Sequence, residues 1–426
     1  MANALLSNLI ALVGPAVETA RMVPIQTLGA PLWDLTGSVP SLDQNFAETL
    51  ALNESVTGQN LITFTRASTG TYIGSDRLMR TAAINEARFT HDPVSGEPLG
   101  LLVEERRTNL LLRSEEFDNA YWVKGGLSVT ANQDVAPDGT QTADRITISA
   151  SGHSVYAFVT VTASTTYTLS FYAKRGTATA ATYSVINDSA GGANIIAPTS
   201  YYSQLSATRW TRVSVTFTTP AGCTSIGVYP LRDSGVSSGT MFLWGAMLEA
   251  GSGATSYIKN VDTAAGVTRS ADLASLEPAA FGSFYRQDEG TLFADVPIRF
   301  AANDGQVAEG ADSSSFKGIS LEVSTSGTRI NLINRTITNA AGIAYITGMS
   351  HSGPGKIAAA YSPQGADIAL NGGGTVVKAS STQAMTPDRL WIGSRTGSSG
   401  FLNGTIRRLV YWPRRLSNPT LQAITL

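Results

Sequence analysis

Cysteine is nearly missing from this chain of 426 residues: Cys223 stands alone, which excludes an intrachain disulfide framework. Its setting, "TTPAGCTSIGVY" beside a predicted strand, suits a small buried apolar residue. Histidine is almost as scarce, and His91, His153 and His351 lie too far apart to give a zinc-type spacing. Charge is short as well. Asp, Glu, Lys and Arg make up 15% of the chain, below the roughly 25% of ordinary soluble domains. The net charge of -2 provides no field to draw in nucleic acid or an anionic membrane. No apolar run reaches the roughly 18 residues of a membrane-spanning helix. The N-terminal "MANALLSNLIALVGPAVETARM" lacks a basic lead and is interrupted by Asn3, Ser7 and Asn8, which argues against a secretion signal. P-loop, GxSxG, HExxH and CxxC motifs are all absent.

Small polar residues and 41 glycines fill the deficit, a composition suited to short strands and many turns. In "TTYTLSFYAKRG", Tyr167, Leu169, Phe171 and Ala173 alternate with polar neighbours. In "TRVSVTFTTPAG", Thr211, Val213, Val215 and Phe217 share one face. The expected class is therefore all-β, with two antiparallel β-sandwiches in tandem, preceded by a short N-terminal helix and an extended attachment segment. The helix carries a stripe of Leu5, Leu6, Leu9, Ile10 and Val13 that Gly14-Pro15 ends, and such a stripe calls for packing against further copies or a docking protein. Composition divides the chain into an attachment and oligomerisation segment (1–57), a small β connector (58–112), a first sandwich (113–262), a linker (263–288) and a second sandwich (289–426). Asn371-Gly372 and Asn403-Gly404 are tight-turn signals. Ser417 and Pro419 open a short closing helix.

The densest cluster of charge is "LLVEERRTNLLLRSEEFDNAYW" (101–122). Its paired carboxylates raise the question of glycoside hydrolysis, whose acid and base must sit roughly 5–9.5 Å apart across a cleft. Here Glu104, Glu105, Arg106 and Arg107 are adjacent, and in an extended chain they point alternately to opposite faces. The pattern favours a salt-bridged junction between domains or subunits over a catalytic pair.

That stretch, continued to "VKGGLSVTANQDVAPDGTQTADRI" and joined with "WGAMLEAGSGATSYIKN", closely resembles a module of bacteriophage tail and virion structural proteins. The module is a jelly roll similar to carbohydrate-binding modules. Upstream, "SLDQNFAETLALNESVTGQNLITFTRASTGTYIGSDRLMRTAAINEARF" resembles the segment that often precedes it in phage adhesins. From Glu289, "YSPQGADIALNGGG" and "FLNGTIRRLVYWPRRLS" resemble a concanavalin- or laminin-G-like sandwich. The resemblance spans roughly residues 40–426. It implies a non-enzymatic tail fibre or spike on the virion surface that binds host-surface polysaccharide, forms a trimer or other symmetric homo-oligomer, and attaches to other virion proteins through its N-terminal segment. A structural decoration or adaptor protein is the alternative. A depolymerase is disfavoured, since no β-helix period is present.

Sandwich sugar sites use aromatic faces with polar groups at the rim. The richest such stretch is "APTSYYSQLSATRW", giving Tyr201, Tyr202, Gln204, Arg209 and Trp210 as the expected platform; the competing outcome is that Trp210 and one tyrosine cover the sheet edge. Trp122, Trp244, Trp391 and Trp412 fit packed positions. No cofactor is expected, apart from the structural calcium that jelly-roll sugar binders often carry, with Asp118, Asp138 and Asp144 as its candidate ligands.

Overall fold

The computed structural model describes residues 32–55, 57–299, 305–311, 319–323, 330–334, 342–346, 355–363, 365–373, 376–378 and 387–426. The stripe of Leu5, Leu6, Leu9, Ile10 and Val13, and His351, lie outside the described residues.

The all-β class is as expected, and the strand pairing is antiparallel throughout. The first sandwich consists of two five-stranded sheets. One runs, in spatial order, Thr211–Thr218, Thr166–Arg175, Gly239–Ala250, Ala143–Ile148 and Leu127–Asp134. The other runs Ala193–Ser200, Thr182–Asn187, Ser225–Arg232, Ser154–Thr160 and Val123–Gly125. Period-two alternation does what the sequence implies. Tyr167, Leu169, Phe171, Ala173, Val213 and Phe217 enter one core with Trp122 and Cys223. On the opposite face Thr168 and Thr216 join hydroxyls at 2.8 Å.

The second sandwich pairs a six-stranded sheet (Leu42–Gln44, Arg408–Trp412, Gly290–Val296, Gly355–Ser362, Gly365–Leu370, Val376–Lys378) with a seven-stranded one. The latter runs Ile62–Thr65, Leu273–Leu276, Arg389–Ile392, Gly305–Ala311, Ile319–Val323, Ile330–Asn334 and Gly342–Ile346. The expected boundaries need correction here. Leu42–Gln44, assigned to the attachment segment, pairs with Arg408–Trp412, and Leu42 and Phe46 are fully buried in this sandwich's core. Within the expected connector, Pro98–Val103 pairs with Gly404–Ile406, and Ile62–Thr65 pairs with Leu273–Leu276. Leu273–Leu276, assigned to the linker, is an internal strand. The second sandwich is therefore assembled from residues on both sides of the jelly roll, which is an insertion into it. These strands are three to six residues long, and their partners are remote in sequence, so local periodicity carries no sign of the pairing.

Two local features fix this weave. A Cβ at Gly100, which has φ +86, would lie 2.2 Å from the Ile406 carbonyl oxygen, so only glycine lets these strands approach. Asn403 (φ 45) does not form the expected hairpin turn. Its amide accepts from the Glu105 N–H at 2.9 Å and donates to the Glu105 carboxylate at 2.8 Å, tying the last strands to the charged stretch. Asn371-Gly372 does make a turn, with both residues at positive φ. The closing helix, Asn418–Ile424, has Ser417 as its N-cap, accepting from the Thr420 amide, and lays Leu421 and Ile424 over Trp412 and Phe293.

Candidate functional site

Glu104 lies with its side chain fully buried between Arg88, at 2.8 Å, and Arg269, at 3.4 Å. Asp272 pairs with Arg66 at 3.0 Å and with Arg88. Ser256, from the end of the jelly roll, donates its amide and hydroxyl to Glu104, each at 2.7 Å. Burial pushes the Glu104 carboxyl up, but Arg269, Arg88 and Ser256 outweigh it and hold it at about 2. The expected salt-bridged junction is present, and it seals the place where the two sandwiches meet. A carboxylate this acidic and sealed from solvent is unsuited to proton transfer with a polymer.

The rest of the motif forms the neck of the insertion. Asn109 donates to the carbonyls of Ala246 and Ile258 at 3.2 and 2.7 Å, and accepts from the amides of Leu111 and Leu248 at 3.0 and 3.1 Å. Ser114 shares a hydrogen bond with the Tyr257 hydroxyl at 2.8 Å and accepts from the Asn260 amide at 2.9 Å. "TNLLLRSEEF" and "SYIKN" thus clasp the chain where it enters and leaves the jelly roll.

The expected calcium ligands do not converge. Among the described residues no three carboxylate, histidine or cysteine side chains gather as a metal site. Asp138 accepts from the Thr140 amide and hydroxyl at 2.9 and 2.6 Å within its own turn. Asp144 is buried and accepts from the amides of Asn132 and Asp118; burial pushes it up to about 6. Beside them Lys124 donates to the carbonyls of Asp118, Asn119 and Trp122 at 2.7–2.9 Å, so an ammonium already supplies the positive charge there.

The expected aromatic platform also needs correction. Tyr201 is fully buried, and its hydroxyl donates to the Pro230 carbonyl at 2.8 Å. Tyr202 is half-buried, with the Arg175 guanidinium 4.5 Å above its ring. Trp210 donates its indole N–H to the Val135 carbonyl at 2.8 Å, and the Lys174 ammonium sits 5.2 Å from its ring centre. Gln204 and Arg209 are exposed, but the rings they were expected to flank are committed to the protein itself. Tyr201 packs the core, while Tyr202 and Trp210 are half-buried against Arg175 and Val135.

One outer face of the jelly roll is covered. Tyr172, Trp244 and Met247 point out of the first sheet into a cluster with Tyr257, Ile258 and Met79, the last from the hairpin Gly70–Ile73/Met79–Ala82. The opposite outer face carries a strip of rings. In "SVYAFVT" (154–160), Val155, Ala157 and Val159 enter the core, so Tyr156 and Phe158 point outward. The register slips between Val155↔Leu231 and Ala157↔Val228, so Tyr229 and Pro230 together oppose Tyr156. Pro230 has no amide to give to a ladder, and the bulge accommodates it.

The consequence is a ring stack across two strands. Tyr156 and Tyr229 are 4.5 Å apart at 20°, and Phe158 stands edge-on to Tyr156 at 5.3 Å. The Arg232 guanidinium lies 4.9 Å from the Tyr229 ring centre. Its Nη1 donates to Ser184 at 3.1 Å and to Asn194 at 3.0 Å. Phe158 is 45% exposed and opposes Gly227, over which Ile186 and the Tyr229 ring pack closely. A Cβ there would come within 2.9 Å of Ile186 and 3.1 Å of the Tyr229 ring. Sequence reasoning passed over these residues. The available signal was a strand with apolar side chains on both faces, one face more than a core requires.

No family model matches the chain, and no curated protein matches it. Similar solved structures include the Ruminococcus gnavus IT-sialidase CBM40 bound to α2,3-sialyllactose, at 15% identity and a TM-score of 0.30, over 34% of this chain and 88% of that one. The CBM22-1 xylan-binding domain of Paenibacillus barcinonensis Xyn10C is similar at 14% identity and a TM-score of 0.26, over 34% and 97%. The enzymatically active domain of tailspike protein 4 of bacteriophage CBA120 is similar at 14% identity and a TM-score of 0.27, over 34% and 21%.

Proposed function

We propose that this chain is a non-enzymatic glycan-binding protein that acts as a tail fibre or spike on a bacteriophage virion, and that the ring strip of Tyr156, Phe158 and Tyr229 is its glycan surface. The observation that carries the reading is the aromatic strip on the sheet face opposite the one that the hairpin covers, with Phe158 exposed, Tyr156 half-buried and Tyr229 8% exposed. Ring faces take up the C–H faces of sugars with little loss of side-chain entropy, while Ser184, Asn194 and Arg232 supply hydrogen-bonding groups beside them. The place on a virion is supported by the resemblance of 101–146 and 244–260 to phage modules. The non-enzymatic part is supported by Glu104, whose carboxylate is locked in a sealed ion cluster.

A single strip of rings binds weakly. Presentation on a trimer or other symmetric homo-oligomer raises avidity by roughly 10²–10⁴ through effective concentration. The test is retention on immobilised polysaccharides and glycan arrays, comparing wild type with Tyr156→Ala and Phe158→Ala. Both side chains point away from the core, so the variants keep the wild-type melting temperature within a few degrees and lose retention. Folded variants that bind as well as wild type would place the glycan surface elsewhere.

A further inference from the structure

We infer that the ligand of this face is an acidic glycan, with a ring carboxylate held by Arg232; the inference rests on the ring strip being the glycan surface. Arg232 is a fixed cation beside the rings of this face. Arg232 is positioned by Ser184 and Asn194 through Nη1 and by its stack on Tyr229, and it forms no ion pair among the described residues. Its Nε and Nη2 make no hydrogen bond among those residues. The carboxylates nearest in sequence and on the neighbouring turn do not pair with it: Asp233 accepts from the Gly235 amide at 3.3 Å, and Asp188 accepts from the Ser225 hydroxyl at 3.0 Å. By contrast, Arg88, Arg107, Arg113, Arg269 and Arg408 are each neutralised by a carboxylate. A guanidinium held 4.9 Å from a ring centre, with Nε and Nη2 free among the described residues, matches the planar two-oxygen geometry of a carboxylate. A pyranose on Phe158 and Tyr156 would direct a ring carboxylate toward it.

The experiment uses the full chain and paired ligands: alginate, polygalacturonate and hyaluronate, each before and after reduction of its carboxyl groups to alcohols, together with neutral polysaccharides. Affinity electrophoresis is run on wild type, Arg232→Gln, Arg232→Lys, Tyr156→Ala and Phe158→Ala, with each fold checked by melting temperature and near-ultraviolet circular dichroism. At least one unreduced polymer is expected to retard the wild type while its reduced partner does not. Arg232→Gln should weaken that binding about 10- to 100-fold. Arg232→Lys should keep part of it, and added salt should weaken it further. Equal binding of reduced and unreduced forms, unchanged in Arg232→Gln but lost in Tyr156→Ala, overturns the acidic ligand and leaves the glycan surface standing. Binding that survives Tyr156→Ala, or no binding to any polymer, overturns both. A changed oligomeric state in Phe158→Ala, with glycan binding intact, assigns the face to contact between copies and overturns both as well.

Discussion

The Tyr201 hydroxyl meets the Pro230 carbonyl from inside the core, directly under the bulge that sets Tyr229 against Tyr156. A residue expected to touch ligand therefore acts as a positioning residue from below. Tyr201→Phe leaves that buried carbonyl without its donor and should cost about 1–3 kcal/mol. Calorimetry should show a lowered melting temperature with a native fold, and retention on glycan should fall because the stack is no longer pinned. Glu104 predicts a pH signature. Its pKa is held at about 2 in the fold against 4.5 as a free side chain, so the stability it confers is complete above pH 4.5 and is lost as pH falls toward 2. Glu104→Gln leaves Asp272 as the one carboxylate for Arg66, Arg88 and Arg269 in this cluster and should cost about 3–5 kcal/mol at neutral pH. Its stability should also fall less steeply than the wild type's between pH 4.5 and 2, as measured by denaturant melts at stepped pH. Asp144 works in the opposite sense: raised to about 6 from 3.8, it favours the fold most below pH 3.8 and loses that advantage as pH rises through 6.

At the scale of strands, the face depends on the close approach of Ile186 and Tyr229 over Gly227. Gly227→Ala would press a methyl group into Ile186 and the Tyr229 ring, with an expected cost of about 1–3 kcal/mol and a loss of glycan retention exceeding that of a change at exposed Thr160. If binding is unchanged in a folded Gly227→Ala protein, the close approach over Gly227 plays no part. This scale also shows what the sequence makes legible. Strands such as Thr166–Arg175 and Thr211–Thr218 announce themselves because one face is buried and the other wet, so composition alternates. The ring strip is harder to see, because Tyr156 and Tyr229 become neighbours only through a bulge at a proline, and a bulge leaves no mark in periodicity. "APTSYYSQLSATRW" is rich in rings for a different reason: Tyr201 fills the core and Trp210 closes an edge, and density of aromatics alone does not tell these roles from a binding face. The junction was legible because adjacent opposite charges in a chain otherwise poor in charge point to mutual neutralisation.

For the whole molecule, the insertion changes how the chain can be divided. Residues 108–264, spanning the jelly roll with both halves of its clasp, should fold alone with a single cooperative transition, since the two five-stranded sheets close their own core. Removing 290–426 should leave that core intact but unfold the flanking strands, because Leu273–Leu276, on which Ile62–Thr65 pairs, loses Arg389–Ile392 as its other neighbour. Limited proteolysis of the shortened chain should then trim it to the jelly roll; survival of the flanks would argue against a shared sandwich. The N-terminal stripe is tested by deleting residues 1–31, which should reduce the assembly seen by light scattering without lowering the melting temperature. Deletion to Asn60 should lower both, since it also removes Leu42 and Phe46, each contributing roughly 1.5–3 kcal/mol of burial.

The clasp has a mechanical consequence. Because the chain enters and leaves the jelly roll at one neck, tension applied along the polypeptide from its two ends is carried by the host sandwich and bypasses the inserted one. A pull on a ligand held at Tyr156 takes another route. It reaches the remainder of the molecule through Asn109, Ser114 and Asn260, the pairing of Arg107–Asn109 with Val267–Arg269, and the buried cluster around Glu104. In single-molecule pulling through the termini, the host sandwich should therefore rupture first, with the inserted domain still folded and still gripping its ligand.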